Sequence, residues 1–161
     1  MQIIPYQNNS RNQAQLVDLI NFCQNIEAQL NIKMAEQDDI FKISTYYQKT
    51  GGNFWIALDK NQIVGSIALL PLDDNTAVLK KFFTYPQYRG QPHHLGAQLY
   101  QILLSYAKLQ SFHRIVLDTP EKETRSHYFY EKQGFQQVTP ENFDANYPYP
   151  DRDSRLYVLT I

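Results

Sequence analysis

A chain of 161 residues, 43% hydrophobic and 19% charged, is long enough to bury a core and too apolar to stay disordered. Its 15 basic and 16 acidic residues leave a net charge of −1, without the basic excess that marks a nucleic-acid-binding domain. A single cysteine, Cys23, excludes an intrachain disulfide and a cysteine-based metal cluster.

Met1-Gln2-Ile3-Ile4-Pro5 lacks the basic region and apolar stretch of a secretory leader, and no apolar run approaches membrane-spanning length. A cytoplasmic protein with no membrane partner is expected. Ile3–Tyr6 reads as an opening strand. Leu16, Leu19, Ile20, Cys23, Ile26 and Leu30 recur at helical spacing and predict an amphipathic first helix, with Cys23 as an inert core residue. A second helix is expected over Asp38–Gln48, with two aspartates near its start where the helix dipole favours them, and Gly51-Gly52 ends it. The runs Asn53–Leu58, Gln62–Leu70 and Thr76–Thr84, separated by turn residues, predict an antiparallel meander.

From Pro92 to Gln110 the spacing is again helical, with Leu95, Leu99, Ile102, Leu103 and Tyr106 on one face. Ile115-Val116-Leu117 has the fully apolar character of a strand covered on both sides. A further helix is expected over about Glu123–Gln133, with Gly134 at its C-terminal cap. Phe135–Val138 and Arg155–Ile161 complete the strands, around a polar and aromatic loop, Pro140–Asp153. The whole chain reads as one α/β domain, residues 1–161, with a mixed sheet.

The stretch Lys80–Phe135 carries the chemistry. Its strand feeds a turn, Tyr88-Arg89-Gly90-Gln91-Pro92-His93-His94-Leu95-Gly96, and then a helix N-terminus. Backbone N–H groups there have no intrahelical partner, and the helix dipole adds partial positive charge, so the turn is an anion cradle. Forty residues on comes Phe129-Tyr130-Glu131-Lys132-Gln133-Gly134-Phe135. This ordering resembles the GNAT family of acetyl-CoA-dependent N-acetyltransferases. The resemblance implies the GNAT fold, a mostly antiparallel mixed sheet of six to seven strands flanked by about four helices.

The family's coenzyme turn runs Gln or Arg, two residues, Gly, one residue, then Gly or Ala. Gln91 and Gly96 match it, and His94 stands where the middle glycine is expected. The histidine either donates to a phosphate or pushes the coenzyme outward. The resemblance implies that the backbone of Phe83 and Thr84 meets the pantetheine arm of acetyl-CoA. It also puts the N–H groups of Gln91 to Ala97, including Leu95, around the pyrophosphate. By their own chemistry Arg89 and Lys132 either reach a phosphate or are solvated. With neither a carboxylate nor a cysteine near the two histidines in sequence, no metal is expected.

Tyr130 occupies the position of the family's proton donor to the departing thiolate, and transfer is expected without an acyl-enzyme. Val78-Leu79-Lys80-Lys81-Phe82-Phe83 lacks the glutamate that many relatives carry on this strand, so the base is a water relay to backbone carbonyls, a carboxylate from elsewhere, or His127, one turn before Tyr130. Asp118 is expected to cap the turn after its strand. The acceptor is an amine of a small molecule or peptide. Glu36, Asp38, Asp39, Asp144, Asp151 and Asp153, with Tyr147 and Tyr149, suit a cationic amine or form an ordinary acidic surface. The rigid segment Asn146–Asp153 walls the acceptor site or lines a homodimer contact. Two alternatives stay open: a GNAT-like module that binds acyl-CoA without turnover, and a small nucleotide-binding domain lacking both the Walker and Rossmann glycine patterns.

Overall fold

The computed structural model describes residues 1–149 and 153–161. Seven strands form one sheet: β1 (Gln2–Pro5), β2 (Asn53–Asp59), β3 (Gln62–Pro71), β4 (Thr76–Thr84), β5 (Arg114–Pro120), β6 (Gln136–Val138) and β7 (Ser154–Thr160). Their order across the sheet is β1-β2-β3-β4-β5-β7-β6. The expected meander β2-β3-β4 is antiparallel, as are all other pairs except β4 with β5.

That parallel pair is the key to the architecture. It joins only Thr76–Val78 to Arg114–Val116. Beyond Val78, β4 stays with β3, while β5 stays with β7 over its full length. The two halves of the sheet therefore separate like a wedge, and the inner edges of both strands lose their ladder partner. Unpaired strand edges demand another occupant for their backbone groups.

The helices α3 (Leu95–Leu109) and α4 (Thr124–Lys132) cover one face. Leu95, Leu99 and Leu103 are fully buried there against Ile67, Leu69, Leu79 and Leu117, each contributing about 1.5–3 kcal/mol of hydrophobic stabilisation. A Cβ on Gly65 would stand 2.9 Å from Leu95 Cδ2 and 3.0 Å from Leu99 Cδ1. Glycine at that point of β3 lets the start of α3 lie directly on the strand. Gly134, at φ +95°, ends α4 in the left-handed conformation expected of its cap.

The other face is covered by α1 (Ser10–Asn21), whose Leu16, Leu19 and Ile20 pack on Phe54, Ile56 and Ala68. Asn9 caps it by accepting from the Asn12 N–H at 2.9 Å. The first helix does not run regularly to Leu30. After Asn21 it widens into a π-type turn, Phe22–Glu27, where the Ala28 N–H bonds the Cys23 carbonyl at 3.2 Å. The expected second helix is also broken. It resolves into a 3-10 turn (Asp38–Phe41), a four-residue helix α2 (Ile43–Tyr46) and another 3-10 turn (Gln48–Thr50). The backbone leaves helical geometry at Lys42, φ −137° and ψ 40°, while Asp39, Ile40, Ile43 and Tyr47 are all buried.

Candidate active site

A cavity of about 440 Å³ fills the wedge between β4 and β5 and reaches both faces of the sheet. On the α3/α4 side its wall includes Phe82, Gly96, Ala97, Phe129, Tyr130 and Lys132; on the α1 side, Gln24, Gln37, Lys80, Lys81, Asp118 and Tyr149.

The first of these halves has the parts of a coenzyme site. α3 starts at Leu95, three residues later than its sequence pattern suggests, because the turn before it is held by a bond from the His94 N–H to the Gly90 carbonyl, 2.6 Å. The first helical donor with a backbone acceptor is Gln98, bonded to His94 at 3.2 Å. Among the described residues the N–H groups of Leu95, Gly96 and Ala97 thus have no backbone acceptor, at the positive end of the helix dipole. His94 itself sits at φ +48°, ψ 40°, the left-handed conformation a glycine would take without strain. The family's middle glycine is thus replaced in side chain but kept in backbone shape. Gly90, His94, Gly96, Ala97 and Lys132 all line the cavity. Gln91 is exposed outside its wall, and Leu95 turns its side chain into the core, so only the Leu95 backbone faces the cradle.

Arg89 lines the cavity with its guanidinium engaged within the fold. Its guanidinium grips both carboxylate oxygens of Glu27, at 2.7 and 2.8 Å, and also donates to the Thr84 carbonyl. This lowers the Glu27 carboxyl below the usual carboxylate range. The grip ties the π-type turn to the end of β4 and closes one rim of the cavity. Thr84 is buried, with its carbonyl also facing the Cys23 thiol at 3.6 Å. Burial pushes that thiol up to about 12, which leaves it an unreactive wall group.

Strand β4 carries a bulge where Ser66 and Ala68 of β3 oppose Phe83 and Lys80. Lys81 lies in it at φ +52°, and the Ser66 hydroxyl donates to its carbonyl at 2.7 Å. The extra residue breaks the alternation of sides. Lys80 lies 5.8 Å from the Tyr147 ring and Lys81 turns to Gln37 and Asp39, both on the α1 face, whereas Phe82 packs on Phe129 and Tyr130 across the sheet.

Tyr130 is enclosed by Phe82, Phe129, Phe135 and Tyr157 and still lines the cavity. Among the described residues its hydroxyl has no hydrogen-bond partner. Burial raises its phenol far above the ordinary tyrosine range, with Asp118 and Glu123 adding to the effect. The group is a neutral donor at any physiological pH.

His127 is not in the cavity. It is buried, and its Nε2 lies 2.9 Å from the Pro120 carbonyl. One turn of helix places it behind Tyr130 against β5, so the role of base expected for it has no geometric support. The acceptor-side carboxylates are also redistributed. Asp39 is buried, accepts from the Tyr47 hydroxyl and lies 3.5 Å from the Lys81 ammonium, so it serves the fold instead of facing the cavity. Glu36 is exposed outside the wall, Asp38 pairs with Lys42 at 3.7 Å, and Asp144 pairs with Arg114 at 2.7 Å. Asp151 lies outside the described residues. Tyr149 lines the cavity, and Tyr147 is buried behind it with its hydroxyl on Asp118 at 2.8 Å.

Three contributors were missed in the sequence: Asp118, the Gln24–Gln37 amide pair that meets Lys81, and Glu27. Two adjacent lysines inside an otherwise apolar strand were the available signal, since a buried ammonium must find acceptors elsewhere in the chain. Nothing local marked Gln24, Gln37 or Glu27.

The model of the acetyltransferase (GNAT) family matches residues 18–135. The chain belongs to that family. An acetyltransferase from Streptococcus agalactiae is 62% identical, with a TM-score of 0.97 over 99% of this chain and 98% of its own. A zebrafish (Danio rerio) N-acetylaspartate synthetase is 32% identical over 106 residues, 65% of this chain and 37% of the synthetase. The chain spans less than half the length of the curated relatives it matches. A GNAT family acetyltransferase from Elizabethkingia anophelis with acetyl-CoA bound shares the fold at 20% identity, with a TM-score of 0.64 over 99% of this chain and 97% of that one. Among the described residues no helix is long and apolar enough to cross a membrane, and no three metal-ligating side chains are grouped.

Proposed function

We propose that this GNAT protein transfers the acetyl group of acetyl-CoA directly to a primary amine of a small molecule or peptide. The observation that carries the reading is the wedge itself. A parted sheet supplies unpaired strand edges for the two amides of a pantetheine arm, and the free N–H groups of Leu95, Gly96 and Ala97 stand at one end for the pyrophosphate. Lys132 and His94 stand beside that cradle, and the backbone of Phe83 and Thr84 faces the arm. The acetyl-CoA complex of the Elizabethkingia protein agrees with this choice of coenzyme.

Direct transfer needs a neutral amine, donors for the charge that grows on the carbonyl oxygen, and a proton for the departing thiolate. The Cys23 thiol is too strongly protonated and too buried to form an acyl-enzyme. Tyr130 supplies the proton: its hydroxyl is held neutral, has no hydrogen-bond partner among the described residues, and belongs to a residue that lines the cavity. A phenol of such high proton affinity does not dissociate ahead of the reaction, so its proton moves only when sulfur leaves.

The acceptor enters from the α1 side, past Leu30, Ile32 and Tyr149. Of the carboxylates expected to form a cationic-amine site, those described are paired within the fold or outside the wall, whereas Lys80 and Lys81 line the cavity on that side.

Calorimetric titration with acetyl-CoA beside ATP and NAD, followed by thiol release with a panel of primary amines, tests the function. Binding selective for acetyl-CoA and amine-dependent thiol release are expected. Binding without release for any amine would leave an acyl-CoA-binding module in place of an enzyme.

A further inference from the structure

We infer that Asp118 is the general base of the transfer, taking the proton of the acceptor ammonium where β4 and β5 part. The role rests on the acetyl-transfer reading above. Asp118 is the second residue beyond Val116, the last position at which β5 pairs with β4. Strand alternation puts it on the same face as Val116, where Tyr147 packs on the valine and donates its hydroxyl to Asp118 Oδ1 at 2.8 Å. One carboxylate oxygen is thereby fixed, and the group lines the cavity on the side from which the acceptor comes.

The other acids of the cavity are unsuited. Glu27 is held by two bonds from Arg89, with Arg125 at 3.6 Å, and is correspondingly weakly basic. Glu123 precedes α4 and burial raises its carboxyl too, but the charges of Arg125 and Arg89 act against it and it has no fixed hydrogen-bond partner among the described residues comparable to Tyr147. Asp118 bonds Tyr147 from the β6–β7 loop and feels the charges of Lys80 and Lys81 from β4, while its own charge acts on Tyr130 of α4. Burial outweighs the lysines and the tyrosine bond and raises its carboxyl above the ordinary range, towards the basicity an amine requires.

The proton count closes. Asp118 removes one proton from the ammonium and returns it to water. The freed lone pair attacks the thioester carbon, a C–N bond forms, and the C–S bond breaks with its electron pair on sulfur. Tyr130 protonates that sulfur and is restored by the second N–H proton, lost as the amide forms. Each turnover gives amide, free thiol and one proton to solvent.

The test follows thiol release from acetyl-CoA against pH, with L-aspartate, L-lysine and a simple alkylamine as acceptor probes. Asp118→Asn keeps the shape and the Tyr147 contact. It is expected to lower kcat/KM by about 10²–10⁴-fold, to leave calorimetric acetyl-CoA affinity unchanged, and to leave a residual rate that follows only the acceptor's own deprotonation. Tyr147→Phe withdraws a bond that stabilises the carboxylate, so the acidic limb of the profile moves to higher pH; a merely structural tyrosine would not move it. A wild-type rate and limb in Asp118→Asn, or loss of the limb in Glu123→Gln instead, overturns the assignment. A wild-type protein that releases thiol with no probe overturns the acetyl-transfer reading and this role with it, whereas an active wild type with an equally active Asp118→Asn overturns the base alone.

Discussion

The Lys81 ammonium lies 3.5 Å from the Asp39 carboxylate, an ion pair with side chains only 9% and 10% exposed, closed by Gln37 at 2.7 Å. A lysine that sequence reading assigns to an ordinary strand and an aspartate it assigns to acceptor binding are in fact partners. Their contact fixes the loop between α1 and β2 against the bulge of β4.

Breaking one half of that pair should be far worse than removing both. Asp39→Asn strands a buried ammonium and is expected to destabilise the protein by about 3–5 kcal/mol, whereas Asp39→Asn with Lys81→Met should recover much of the loss. Urea denaturation of the two single variants and the double variant measures the coupling. Additive losses would show that the pair contributes no interaction of its own.

Tyr130→Phe should reduce kcat by about 10²–10³-fold with little change in the affinity for acetyl-CoA. The ring keeps its place among Phe82, Phe129 and Phe135, so thermal stability should hold. Steady-state kinetics beside calorimetry separates the two effects. An undiminished kcat removes Tyr130 from the chemistry.

At His94 the backbone sets the outcome. The left-handed conformation costs a non-glycine residue about 1–2 kcal/mol, and glycine gives back about 0.4–1 kcal/mol through the freedom of the unfolded chain. His94→Gly should therefore fold as well as the wild type or slightly better. His94→Val should lose stability and, by distorting the start of α3, weaken acetyl-CoA binding. Chemical denaturation and calorimetry on both variants decide it; equal behaviour of Gly and Val would mean that the conformation carries no strain.

The Glu27–Arg89 contact makes a pH-dependent prediction. Arg89 lowers the Glu27 pKa in the folded state, so the contribution to stability is complete above the unfolded value near 4.5 and disappears as pH falls through the lower folded value. Glu27→Gln should cost about 1.5–3 kcal/mol at neutral pH, the scale of a charge-assisted hydrogen bond. The gap to wild type should close in acid. Denaturation curves at neutral and acidic pH check the sign; a gap that persists in acid would contradict it.

Much of the α3/α4 half of the cavity was legible in residues 80–135 because its determinants are local. A strand, a glycine-containing turn and a helix start are written in neighbouring residues, and even the departure at His94 was visible, although only the backbone angles show that it keeps a glycine's conformation. Tyr130 was found by its context on one helix. The first two helical segments were less legible. Their apolar spacing announces a buried face, but the π-type turn at Phe22–Glu27 and the broken segment at Asp38–Thr50 answer to tertiary packing that overrides local preference.

The sequence by itself determined the fold class, the turn before α3 and the tyrosine on α4 that lines the cavity, since hydrophobic period and turn chemistry act over a few residues. The tertiary structure alone decided the acceptor half. Lys80 and Lys81, Gln24 and Gln37, Asp118 and Tyr147 come from segments far apart in the chain and meet because β4 and β5 part after three paired residues. Whether a charge faces a substrate or a partner within the fold depends on that meeting. Burial strengthens electrostatic pairing only between groups already brought together, which is why Asp39 became a structural ion-pair partner and Asp118 came to face the cavity.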